Sequence, residues 1–214
     1  MRVRLVVVGG GGFGRETIDV IEAINAATPE DGFDLLGVLD DDPSRATSRR
    51  LAARHITHLG PIDGWLVRGD DAAYLVAIGA PATRRAIAER FDRTEARAAT
   101  VIHPQAVVGS AGSIGAGSIV CAGGQISTNV RIGVHVHVNP NATIGHDCVI
   151  SDFVSINPAA TISGECFVAP DASLGAGSVV LQGLRVGHGA TVGAAACVVR
   201  DVPTRAVVKG VPAR

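Results

Sequence analysis

Walking the chain from Val108 in steps of six lands only on aliphatic residues: Val108, Ile114, Val120, Ile126, Ile132, Val138, Ile144, Ile150, Ile156, Ile162, Val168, Leu174, Val180, Val186, Val192 and Val198, sixteen in succession. Two residues before each, the occupant is mostly small (Gly112, Ser118, Gly124, Ala142, Cys148, Ala160), and one residue after it Gly, Asn or Ser recurs. A period of six suits neither a helix nor a plainly alternating strand. It suits a short strand followed by a tight corner, with one aliphatic side chain inward and a small residue in the crowded bend. Three such sides close a triangular coil of 18 residues. Coils stack at the strand spacing of about 4.8 Å, so the repeat makes about five coils and a column roughly 25 Å long. It runs from about residue 101 to 202 without an insertion.

The first half is built differently. Of the 39 charged residues, 28 precede position 101, whereas glycine runs 11 against 16 the other way. A shift of that size divides the chain into residues 1–100 and 101–214. Residues 1–100 read as alternating strands and helices. The strands are Arg2–Val8, Phe33–Leu39 and Ala73–Ile78, and the helices are Arg15–Ala26, Ser44–Arg54 and Thr83–Arg90. That order predicts a small Rossmann-like parallel sheet. Between the first strand and helix, Gly9, Gly11 and Gly14 satisfy G-x-G-x-x-G, a loop whose backbone can approach a phosphate at a helix N-terminus. Asp40 and Asp41, ending the next strand, are placed to accept from a ribose or a base. A nicotinamide dinucleotide is a poor fit, because the second half of such a fold is missing.

In the repeat, His146 falls at a corner, with its side chain outward where a neighbouring copy can close a cleft over it. Imidazole suits a general base, and Asp147 beside it can fix the tautomer. His137 and Ser155 lie 18 residues apart, hence on adjacent coils of one outer face, where two wet surface residues would also be expected. Val149 and Phe167 stack likewise on another face and suggest a contact between copies. Cys148 and Cys166 also differ by 18, but read as small buried side chains rather than a disulfide.

Composition narrows the partners. A net charge of −1 argues against nucleic acid and anionic lipid. No apolar run approaches the roughly 20 residues of a membrane span. The opening reaches its glycines after four apolar residues, Leu5–Val8, too few for a signal-peptide core. Four cysteines without C-x-x-C spacing fit a reducing compartment, so the chain is expected in the cytoplasm.

Taken together, Val8-Gly9-Gly10-Gly11-Gly12-Phe13-Gly14, Leu39-Asp40-Asp41, Ala77-Ile78-Gly79, Ile102-His103, Ile144-Gly145-His146-Asp147-Cys148-Val149-Ile150 and Lys209-Gly210-Val211-Pro212-Ala213-Arg214 resemble the PglD/NeuD-type sugar acetyltransferases. The resemblance implies a nucleotide-sugar-binding α/β domain joined to a left-handed parallel β-helix, and homotrimers. The hand comes from the resemblance alone. It implies acetyl transfer from acetyl-CoA to the amine of a nucleotide-linked amino sugar, without a metal, and His146 with Asp147 as the catalytic pair. Gly11, Gly12, Phe13, Asp40, Asp41, Gly79 and Ala80 match positions that hold the nucleotide, and Asn139 one near the sugar. Ser155, Ala176 and Ala194 match positions of the acetyl-CoA groove. Ser155 stands where relatives often carry a second histidine, and His137, one coil away, is the candidate to replace it. Phe13 likewise stands where some relatives have histidine. Two alternatives remain open: O-acetylation of a sugar hydroxyl or carrier-bound product, and nucleotide-sugar binding without transfer. A metal-dependent carbonic anhydrase on the same column is disfavoured, because His103, His135, His137, His146 and His188 lack the close five-residue pair seen in that family.

Overall fold

A computed structural model describes residues 2–214; Met1 lies outside the described residues. The chain forms two compact units, one ending at Pro104 and the other running from Gln105 to Arg214.

The first unit is a four-stranded parallel sheet. Its strands are β1 (Val3–Val8), β2 (Phe33–Leu39), β3 (His58–Gly60) and β4 (Ala73–Val76), in the order β3-β2-β1-β4. Leu5–Val8 are closed to solvent because β1 is central and covered on both faces, which is why it reads as a continuous apolar run. The helices are α1 (Gly12–Ala27), α2 (Arg45–Ala52), α3 (Ile62–Arg68) and α4 (Pro81–Phe91). Helix α1 buries Thr17, Ile18, Val20 and Ile21. It begins three residues earlier than its apolar spacing suggests, because the glycines at 12 and 14 are part of its first turn. β3 and α3 were not expected from sequence; they span 3 and 7 residues, too short to show a period. α3 is instead set by its ends, Pro61 before it and Gly69 in the left-handed region after it.

The second unit is a left-handed parallel β-helix. Its strands are two residues long and stack into three parallel sheets of seven, six and five strands. Each of the sixteen aliphatic positions is the second residue of a strand. From Ile114 onward they pack into one continuous core, and from Val120 onward each is buried, whereas Val108 at the open end of the column is exposed. Removing one such side chain from water is worth about 1.5–3 kcal/mol. The register is 18 residues throughout, as in Ile144 opposite Ile162, until the last coil, where Thr191 pairs with Val207.

The corners divide two jobs. Glycines just after the aliphatic residue have ordinary backbone angles, but the next coil passes so close that they have no room for a side chain. A Cβ on Gly145 would lie 2.5 Å from the Gly164 nitrogen. The left-handed residue comes two positions later: Asn129, Asp147, Phe153, Ala159 and Glu165 all have φ between 57° and 61°.

Candidate active site

The core anchors Ile144 and Ile150 fix both ends of the turn that carries His146. Asp147 takes the left-handed corner conformation (φ 59°), which turns its carboxylate back beside the preceding imidazole. His146 Nδ1 lies 2.7 Å from Asp147 Oδ2, and both side chains are half exposed. One coil away, Asn129 Nδ2 donates to Asp147 Oδ1 at 3.0 Å. The bonds from His146 and then Asn129 hold the Asp147 carboxyl below the usual carboxylate range. An ionised carboxylate only accepts, so Nδ1 must donate, and in the neutral imidazole the lone pair is then on Nε2. The arrangement is that of an oriented general base.

The glycine loop forms a second cradle, within the first unit. Gly9 has φ 102° and donates its N–H to Leu39 O at 2.8 Å. Gly10 is pinned from both sides: its N–H donates to Asp40 Oδ2 (2.8 Å) and its carbonyl accepts from Arg15 Nη1 (3.0 Å). Gly14 must lack a side chain, since a Cβ there would stand 1.9 Å from Gly9 O. Helix α1 has no side-chain cap and no acidic residue in its first turn, which suits an anion at its N-terminus. Gly11, Gly12 and Phe13 face a cavity of about 420 Å³ whose other walls include Ile62, Ile78, Gly79 and Ile87.

Asp40 and Asp41 line the same cavity, yet their carboxylates already serve the protein. Asp40 holds Gly10, while Asp41 accepts from Ile62 N–H at 2.7 Å and pairs with Arg90 at 3.3 Å. Both carboxylates therefore also shape the loop and start α3. Ala80 is the exposed N-cap of α4, beside this cavity wall.

The β-helix register separates the remaining expected residues. His146 belongs to one column edge, whereas Ala176 and Ala194, both exposed, lie one coil apart on the next edge. One chain does not bring them together. His137 and Ser155 do pair across adjacent coils, as expected, but neither lies on a wet face: they are 0% and 2% exposed. His137 is flanked in its sheet by Ser155 and by Ile119, itself closed to solvent. Asn139 is also buried and donates to Ile156 O at 3.0 Å, a tie between coils repeated by Asn157 to Leu174 O at 2.7 Å. Val149 and Phe167 pair as expected, and Arg185 lies over the Phe167 ring at 4.3 Å. Cys148 and Cys166 are buried free thiols bonded to the carbonyls of Ser163 and Leu181.

Three contributors were missed. Asn129 was findable, since 18 residues separate it from Asp147. Arg15 and the fully buried Arg84, whose Nη1 donates to Ile78 O at 2.7 Å and Gly79 O at 3.2 Å, hold cradle backbone and leave no spacing signal. A larger cavity, about 740 Å³, opens at the amino ends of β1 and β4. It contains none of the expected residues, and its Arg4 is paired with Asp70 and Asp71.

Comparison with known proteins gives matches over both units. Residues 4–91 match the family described as the PglD N-terminal domain. GDP-perosamine N-acetyltransferase of Escherichia coli is 32% identical over 158 residues, which are 70% of this chain and 65% of that enzyme. The match thus spans just under two thirds of that relative's length. Among solved structures, a histidine-to-asparagine mutant of perosamine N-acetyltransferase from Caulobacter crescentus, in complex with CoA and GDP-perosamine, superposes with a TM-score of 0.88. It is 28% identical, covering 98% of this chain and 95% of that one. The acetyltransferase domain of PglB from Neisseria gonorrhoeae, in complex with acetyl coenzyme A, gives a TM-score of 0.86 at 28% identity, over 100% and 99% of the two chains. With its glycine cradle on a parallel sheet and its His–Asp pair on a β-helix corner, this chain is similar to the PglD-type sugar acetyltransferases, and its first unit matches the PglD N-terminal domain.

Proposed function

We propose that this protein transfers the acetyl group of acetyl-CoA to the amine of a nucleotide-linked amino sugar, with His146 as general base. The observation that carries the reading is the His146–Asp147 pair, whose geometry leaves Nε2 free to take a proton. The acceptor to try first is GDP-perosamine, which the Caulobacter relative binds together with CoA.

In this reading the first unit holds the nucleotide through the backbone of Gly11, Gly12, Phe13 and Gly79, with Ala80 at the rim. The β-helix carries the transfer. Three chains associate so that the His146 edge of one meets the Ala176 and Ala194 edge of the next, and acetyl-CoA lies in the seam. A trimer is supported by the register, which keeps those edges apart within one chain. Asn139, His137 and Ser155 form the wall behind that seam. A cytoplasmic location fits the acetyl-CoA requirement and the free thiols.

The amine nitrogen attacks the thioester carbonyl carbon while His146 Nε2 removes its proton. The tetrahedral intermediate then expels the CoA thiolate, which recovers that proton from the imidazolium, leaving an amide and neutral histidine. Asp147, kept ionised, stabilises the imidazolium in between. No acyl-enzyme is needed.

The test is incubation of the protein with acetyl-CoA and a panel of GDP-, UDP- and dTDP-linked amino sugars, following thiol release and product mass. An N-acetylated sugar is expected from at least one member. No thiol release above the blank across the panel would overturn the reading, and an O-acetylated product would replace the amine by a hydroxyl.

A further inference from the structure

We propose that Gly164 is a positioning residue for His146, its missing side chain being the seat of the imidazole. The inference rests on His146 acting as the base. Gly164 lies one coil beyond His146, 18 residues on, and is buried. A Cβ built on it would stand 2.5 Å from His146 Nε2, 2.6 Å from Cε1 and 3.0 Å from Cδ2. Its three nearest atoms are therefore all imidazole, and the closest is the nitrogen that takes the proton.

Backbone geometry does not explain the glycine. Gly177, Gly183 and Gly189 occupy left-handed corners, with φ of 65°, 73° and 61°, whereas Gly164 has an ordinary φ that any residue adopts. Nor is the edge generally glycine: Ser110, Thr128 and Gln182, at the equivalent place on other coils, all carry side chains. The coil around Gly164 is also fixed, since Glu165 N–H donates to His146 O (2.8 Å) and Gly183 N–H to Gly164 O (3.0 Å). The imidazole is thus held on two sides, by Asp147 at Nδ1 and by the bare Gly164 Cα beneath Nε2 and Cε1. A methyl group at 164 must push the imidazole by roughly 1 Å to reach ordinary contact, which strains the Nδ1 bond and crowds Nε2.

Gly164→Ala is expected to lower kcat about 10- to 100-fold while KM for acetyl-CoA and for the sugar stays within about 2-fold. A double-mutant cycle supplies the structural readout: Gly164→Ala should lower the unfolding midpoint when His146 is present and leave it unchanged in a His146→Ala background. Unchanged kcat in the folded Gly164→Ala protein would overturn the proposal. So would an equal loss of stability in both backgrounds, which places the clash elsewhere; the cycle also decides the matter if Gly164→Ala alone folds poorly. A wild-type protein inactive toward every acceptor overturns the functional reading first, and the cycle then reads the seat independently of it.

Discussion

Two glycines of the same loop should respond very differently to one added methyl group. At Gly14 the methyl would meet Gly9 O at 1.9 Å and Gly9 C at 2.9 Å, so more than about 1 Å of backbone must give. Gly9 cannot retreat: its N–H is bound to Leu39 O, and its own Cβ position already lies 2.8 Å from Ile78 Cγ1. Helix α1 must therefore lift, opening gaps around Ile18 and Ile21, both fully buried. A gap of 0.5–1 Å forfeits about a quarter to a half of the dispersion contact, and overpacking of this kind costs roughly 1–3 kcal/mol. Alanine returns up to about 1 kcal/mol in helix propensity, leaving a net loss of roughly 1–2 kcal/mol. Gly12 has no atom within 4 Å of its Cβ position, so Gly12→Ala should change stability by less than about 0.5 kcal/mol. Urea unfolding followed by far-ultraviolet circular dichroism measures both. Equal stabilities for the two variants would refute the argument that Gly14 is required by close approach.

Other outcomes follow from the catalytic pair and the column. Asp147→Asn should lower kcat by about 10- to 100-fold with little change in KM, because the imidazole loses the acceptor that orients it; an unaltered pH–rate profile would count against this. Because the folded pKa of Asp147 is depressed, the stability it lends is complete above the ordinary value of 3.8 and is lost as pH falls through the lower folded value. The Asp147→Asn protein should therefore show a shallower fall in thermal midpoint below that pH. Ile156→Ala, between Val138 and Leu174 in the core stack, should cost about 2–5 kcal/mol in urea unfolding, and a loss under about 1 kcal/mol would contradict tight stacking.

The column was legible because every side repeats one six-residue unit, so a single aliphatic position per step reveals coil, core and register. The left-handed corners were not. Asparagine, aspartate, phenylalanine, alanine and glutamate all occupy them, and the coil imposes the conformation on each. His146 and Asp147 are adjacent in sequence and on the same corner, so their pairing was readable; the support from Asn129 required applying the coil length once more. Asp40 and Asp41 show the limit. Residue type and position mark a carboxylate at a strand end, but they do not say that Gly10, Ile62 and Arg90 already use it. Likewise, alternation put His137 outward, and nothing local indicated that its surroundings close over it.

Whether the site is shared across a seam can be measured by complementation. His146→Ala removes the base from one edge, and Ala176→Trp fills the groove on the next, where Ala176 is exposed. Each variant alone should be nearly inactive. Chains of both kinds, unfolded together and reassembled in equal amounts, should recover about a quarter of the wild-type rate, the fraction of seams with both edges intact. A mixture no more active than its separate components would contradict the account.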